Sequence, residues 1–234
     1  MRFPAATALA LCAGVSGCRS APQGDASPIA YAQATRDQAG WADADFSDPG
    51  AWRVARADGR TALELFGPSE YAPPHRSPLG VALLTRYRFG DFTLDVDVRQ
   101  TGREYGHRDL CLFFGWDAAD RFGYAHLATT PDANAHNVFL VDGAPRRNLL
   151  APREHGVDWG DAWHHVRLER RLADGRVRVF FDDMDEPVLE AFAPSLGYGR
   201  VGFGSFDDTG LFANAVIRAE DPMLLCDEEA GFDR

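Results

Sequence analysis

Three of the chain's seven histidines fall in one stretch, Gly106–Arg147, together with several aspartates and a dense set of aromatics. His107, Asp109, His126 and His136 are residue types that ligate zinc and related ions. No compact ligand spacing joins them, so adjacent strands would have to bring them together. Isolated histidines on strands more often make hydrogen bonds at a surface or in a cleft. The same residues suit sugar. A saccharide needs a flat aromatic against its ring and carboxylate, Arg, Asn or His groups against its hydroxyls. Tyr124 and His126 share a strand face, and Arg99, His107, Asp109, His136 and Asn137 lie on or beside strands that would neighbour them. Within this set Asp109 and His126 are the acid/base candidates. The plainer reading is a polar outer sheet with a satisfied His–Asp pair.

These residues need strands to hold them. From residue 41 to 218, short alternating runs separated by Gly, Pro, Asp and Asn predict an all-β sandwich or barrel. In Phe92–Arg99, Phe92, Leu94, Val96 and Val98 take one face and Thr93, Asp95, Asp97 and Arg99 the other. Leu110–Phe114 is apolar on both faces, which predicts a central strand covered on both sides. In Phe122–Leu127, Phe122, Tyr124 and His126 point one way and Gly123, Ala125 and Leu127 the other. The next strand, His136–Val141, ends in the hairpin-type turn Asp142-Gly143. His164 and His165 are strand neighbours facing opposite ways, so they are not one site. The predicted domain covers 41–219, with an acidic tail at 220–234.

Composition narrows the function. The formal net charge of −11 argues against a nucleic-acid partner, because phosphate binding needs a basic face. All 24 basic residues are arginine. The lack of lysine removes Schiff-base chemistry, a lysine base and a P-loop lysine together. No Gly-x-Ser-x-Gly elbow is present, and neither Cys111 nor Cys226 has a nucleophile signature. These two cysteines could form a disulfide after export, or Cys111 could be a buried free thiol. No apolar run approaches the roughly 20 residues that span a bilayer. Residues 1–17 instead read as an export signal, with a basic residue, a short Ala/Leu-rich run and small residues before Cys18. Val15-Ser16-Gly17-Cys18 resembles the bacterial lipobox, which implies acylation of Cys18 and a lipid anchor in the cell envelope. Residues 18–40 then read as a flexible tether.

The later strands carry a wider resemblance. Trp163–Leu168, Gly175–Asp182 and Gly199–Phe206 resemble the closing strands of concanavalin A-like lectin/glucanase sandwiches, a group that includes laminin-G-like modules and 3-keto-disaccharide hydrolases. Phe212–Ile217 is similar to the last strand of such domains and Asp45-Phe46-Ser47 to the first, so the resemblance covers about residues 41–219. It implies a two-sheet antiparallel jelly-roll sandwich with glycan on its concave face. It also implies a structural calcium, for which Asp45, Asp207 and Asp208 are the candidate ligands, although Asp207-Asp208-Thr209-Gly210 reads equally as turn chemistry. The chain departs from the family 16 glucanases of the group. It has no Glu-x-Asp-x-x-Glu strand, and Asp95-Val96-Asp97 lacks the final acid, so a two-carboxylate retaining mechanism is not expected. The expectation is an envelope-anchored, glycoside-hydrolase-like protein acting on or binding a glycan. The alternative is a non-catalytic glycan-binding or structural lipoprotein of the same fold.

Overall fold

The computed structural model describes residues 44–151, 153–225 and 232. The leader, the tether, Cys18 and Cys226 lie outside the described residues, and with them the lipid-anchor and disulfide readings. Cys111 is buried and has no disulfide partner among the described residues.

The described chain is all β apart from one 3-10 turn at Pro49–Ala51. The strands are β1 (Ala44–Phe46), β2 (Trp52–Ala57), β3 (Arg60–Leu65), β4 (Gly80–Leu84), β5 (Tyr87–Arg88), β6 (Phe92–Gln100), β7 (Asp109–Ala118) and β8 (Arg121–Ala128). They continue as β9 (Asn137–Asp142), β10 (Arg147–Asn148), β11 (His164–Arg171), β12 (Arg176–Phe181), β13 (Leu189–Phe192), β14 (Arg200–Ser205), β15 (Gly210–Arg218) and β16 (Met223–Leu224). Two seven-stranded antiparallel sheets form, ordered β1-β4-β14-β7-β8-β9-β10 and β13-β12-β11-β6-β15-β3-β2, and β16 pairs with β5 apart from them. This is the jelly-roll sandwich that the strand pattern and the resemblance imply. Within the tail, Met223 and Leu224 of β16 pair with Arg88 and Tyr87 of β5.

The core lies between the sheets and follows the alternation. Leu94, Val96 and Val98 of β6 meet Leu110, Leu112 and Phe114 of β7 and Ala125 and Leu127 of β8 in one buried cluster. The other face of the first sheet is also buried. Val81, Leu83, Cys111, Phe113, Trp116, Phe122, Tyr124, Phe139 and Val141 form a second apolar cluster there. Phe206 and Arg146, brought by loops, and Phe232 of the tail cover part of it. An antiparallel sheet usually leaves one face to water; this one has both faces covered, as the two-sided apolar run of β7 requires.

The outer face of the second sheet is polar. Asp95 accepts hydrogen bonds from Arg167 Nε (2.8 Å) and Arg218, and lies 3.0 Å from His165 Nε2. Burial works to raise the Asp95 carboxyl, but the bonds from Arg167, His165 and Arg218 outweigh it and hold the group below the usual carboxylate range. A depressed folded pKa contributes stability above the ordinary value near 4, and that contribution is lost as pH falls through the lower folded value. Asp95→Asn should therefore cost about 1–2 kcal/mol at neutral pH, since Arg167 and Arg218 are only partly buried. Urea titrations of both proteins should show the difference shrinking below about pH 4. A difference that stays constant from pH 6 to pH 3 would rule out the ion-pair network as its source.

Candidate functional site

Asp109 and His126 do come together. Asp109 opens β7 and His126 stands on β8, whose residues pair antiparallel with Cys111 opposite His126. Asp109 and Cys111, two residues apart, share the outer face with His126. Asp109 Oδ2 lies 3.5 Å from His126 Nε2. Its carboxylate also accepts from Ser205 Oγ (3.0 Å), the Phe206 backbone N–H (3.0 Å) and Cys111 Sγ (3.2 Å). His126 has no such support. Neither ring nitrogen makes a hydrogen bond among the described residues, although the side chain is only 5% exposed.

Both groups line a cavity of about 140 Å³ on the outer face of the first sheet. Its walls come from loops far apart in the chain: Arg76 after β3, Tyr105 and His107 before β7, Asn134 and Ala135 before β9, Arg146 after β9, and Phe206 and Asp207 after β14. The Phe206 ring lies parallel to His126 at 6.3 Å. Arg146 is held over Phe139 and Phe206, donating to Tyr124 Oη (2.8 Å) and to the Asn134 carbonyl (3.0 Å). Tyr105 Oη donates to Asp208 (2.7 Å), which also accepts from the Asp109 backbone N–H (3.0 Å).

Burial moves the two acid/base groups in opposite directions. It pushes Asp109 up to about 7; bonds from the Phe206 N–H, Cys111 and Ser205 oppose that rise, and the charge of Asp208 adds to it. It brings His126 down to about 3, with the cation Arg146 adding to the effect. At neutral pH the imidazole is therefore uncharged, and burial leaves the Asp109 carboxyl easier to protonate than an ordinary carboxylate. Burial favours the neutral form of both groups, the protonated carboxyl of Asp109 and the uncharged imidazole of His126.

The other candidates divide. His107 lines the cavity and pairs with Asp132 at 2.8 Å. Tyr124 is fully buried, its ring stacked on Phe139 at 5.2 Å, so it presents no face to a sugar. Its role is to hold Arg146. His136 has a left-handed backbone (φ 49) and its Nδ1 accepts from the Ala128 N–H at 3.5 Å, which shapes the β8–β9 loop. Asn137 is buried and clasps Leu150 through both its amide groups. Arg99 belongs to the second sheet, where it pairs with Asp58 at 2.8 Å. Strand alternation gave its face correctly, but β6 lies between β11 and β15 and not beside β7, so Arg99 is removed from the cavity.

The structure does not bring together the three calcium ligands that the resemblance implies. Asp45 is tied to Arg200 at 2.6 Å and is not grouped with Asp207 and Asp208. Two other sets do gather ligand atoms within 4.8 Å: Asp109 with Asp207 and Asp208, and Asp109 with Cys111 and His126. Arg76, Arg146, Phe206 and Cys111 escaped sequence reasoning. Only Cys111 had a local signal, its spacing of two from Asp109. A larger opening, about 830 Å³, lies at the second sheet, but four of its arginines are ion-paired: Arg171 with Asp174, Arg176 with Glu190, Arg178 with Glu169 and Arg218 with Asp95.

No family model matches the chain, and no curated protein matches it. Solved structures do. The carbohydrate-binding module CBM66 from Bacillus subtilis aligns with a TM-score of 0.53 at 17% identity, over 76% of this chain and 96% of that one. A putative glycosyl hydrolase from Parabacteroides distasonis aligns with a TM-score of 0.49 at 12% identity, over 76% and 88% of the two chains. The likeness to the carbohydrate-binding module is one of fold, a two-sheet antiparallel sandwich. Fold alone assigns no activity.

Proposed function

We propose that this is a glycan-binding protein of the cell envelope, and that the cavity at Asp109 and His126 receives the end of a saccharide. One observation carries the reading. A buried imidazole whose two nitrogens make no hydrogen bond among the described residues faces a walled cavity that also holds a carboxyl, two arginines and the face of Phe206. An unmade hydrogen bond at such depth costs about 1–3 kcal/mol, so a ligand that supplies donors and acceptors would recover it. A sugar hydroxyl does both. A cavity of about 140 Å³ has room for part of one sugar unit, which is why the proposal places the end of a saccharide there. The name carried by one structural neighbour, a carbohydrate-binding module, is consistent with this choice of ligand.

A catalytic version of the same site rests on Asp109. Its carboxyl, which burial makes easier to protonate, could pass a proton to a bound sugar oxygen while His126 orients that oxygen. Against turnover stands the commitment of that carboxylate to Ser205, Phe206 and Cys111.

A glycan-array screen followed by product analysis tests both versions. Wild type is expected to bind a defined set of glycans and His126→Ala to bind them at least tenfold more weakly, which corresponds to about 1.4 kcal/mol. Products that appear with wild type and vanish with Asp109→Asn establish catalysis. Binding that survives His126→Ala unchanged removes the cavity from consideration. Anchoring is a separate proposal. Acylated Cys18 would tether the domain, so Cys18→Ser should move the protein from the membrane fraction to the soluble fraction of the envelope. Retention of Cys18→Ser in membranes refutes it.

A further inference from the structure

We propose that Asp109, Cys111 and His126 form a binding site for a divalent transition metal, of the zinc type, in the floor of the cavity. Three features point there. The donors are a carboxylate oxygen, a thiol sulfur and an imidazole nitrogen, a mixed set that suits a borderline-soft ion and not calcium or magnesium. Their spacing is close to that of a bound set: Asp109 Oδ2 is 3.2 Å from Cys111 Sγ and 3.5 Å from His126 Nε2. Tetrahedral ligands at zinc distances of ~2.0–2.3 Å stand roughly 3.3–3.8 Å apart. The third feature is independent of the cluster's geometry. His126 is a buried side chain with neither nitrogen in a hydrogen bond among the described residues, and its Nε2 faces Asp109.

The backbone fixes this arrangement. Asp109 and Cys111 alternate onto one face of β7, and Cys111 is the cross-strand partner of His126 on β8. No loop movement is needed to assemble the three donors. Ser205 and the Phe206 N–H hold the Asp109 carboxylate from behind, the kind of outer support that orients metal ligands. Binding would release the Cys111 thiol proton, and any proton on Asp109, to solvent. Two anionic ligands then neutralise the dication, which keeps the site compatible with the Arg146 guanidinium nearby. Three protein ligands leave the fourth position open to the cavity, the pattern of sites that take water or a substrate oxygen.

This deepens the saccharide reading by placing an ion where the sugar oxygen would sit, and it changes Asp109 from proton carrier to ligand. Co²⁺ titration of the metal-stripped full chain near pH 8 tests it. The expected result is one equivalent bound, with a near-ultraviolet thiolate-to-cobalt band and visible bands of a four-coordinate ion, all displaced by Zn²⁺. Cys111→Ala should lose the near-ultraviolet band, and His126→Ala should weaken binding at least tenfold. Near-ultraviolet circular dichroism of each variant confirms folding. A wild-type spectrum without a thiolate band overturns the proposal whatever the variants do, and so does a band that persists in folded Cys111→Ala. Glycan binding by stripped wild-type protein that takes up no Co²⁺ would remove the metal site and leave the saccharide reading standing. Co²⁺ uptake without any glycan binding would do the reverse.

Discussion

Gly204→Ala is expected to destabilise the protein by about 4 kcal/mol or more, in the extreme tail of single substitutions. Gly204 sits in β14 between Val81 of β4 and Cys111 of β7. A Cβ there would meet the Gly80 carbonyl oxygen at 1.8 Å, and that neighbour is backbone, which cannot swing aside as a side chain can. Relief requires parting β14 from β4. That separates β1 and β4 from the other five strands of the first sheet and shifts Ser205 and Phe206, which hold Asp109. Gly67→Ala is the matched control, because nothing lies within 4 Å of its added carbon. Chemical denaturation should place Gly67→Ala within about 0.5 kcal/mol of wild type. Equal stability of Gly204→Ala and wild type would mean that β4 and β14 do not approach as described.

Trp159→Ala is expected to cost about 3–5 kcal/mol, the range for deleting a large buried aromatic. Trp159 is among the largest fully buried side chains, and it packs edge-on against Phe181 at 5.2 Å. Its Nε1 donates to the Arg108 carbonyl at 3.0 Å, and its own carbonyl lies 2.6 Å from His164 Nε2. The loop before β11 is thereby fastened to the residue preceding Asp109. Truncation empties part of the core and also orphans a buried carbonyl one residue from the site. A drop in melting temperature on the order of 10 °C follows for a domain of this size. A melting temperature within 2 °C of wild type would show that the core at this end of the sandwich is not closed by Trp159.

Much of this was legible along single strands. Period-two alternation in Phe92–Arg99 and Phe122–Leu127 assigned each side chain to a face, and the core clusters confirm those faces. The two-sided apolar run Leu110–Phe114 signalled a covered central strand. Alternation says nothing about which strands are neighbours, so it could not reveal that β6, with Arg99, belongs to the opposite sheet from β7. Tyr124 was misjudged for a related reason. A tyrosine on an outer face reads as a sugar platform unless the cover is known, and the cover here includes Arg146, which comes from beyond β9. Arg76, Phe206 and Asp207 reach the cavity by sheet order and loop length, quantities without a local pattern. Asp45 resembled a first-strand calcium ligand, but its partner, Arg200, is 155 residues away.

The most direct test follows the His126 ring itself. Histidine-labelled protein would be titrated with the saccharide from the screen while the imidazole resonances are recorded, with Arg99→Ala as a control on the other sheet. The expected result is that the His126 signals shift saturably, at the same concentrations that saturate binding, and that Arg99→Ala retains affinity within about twofold. Saturable saccharide binding that leaves the His126 resonances unmoved, or that is lost in Arg99→Ala, would contradict a sugar site at the Asp109–His126 cavity.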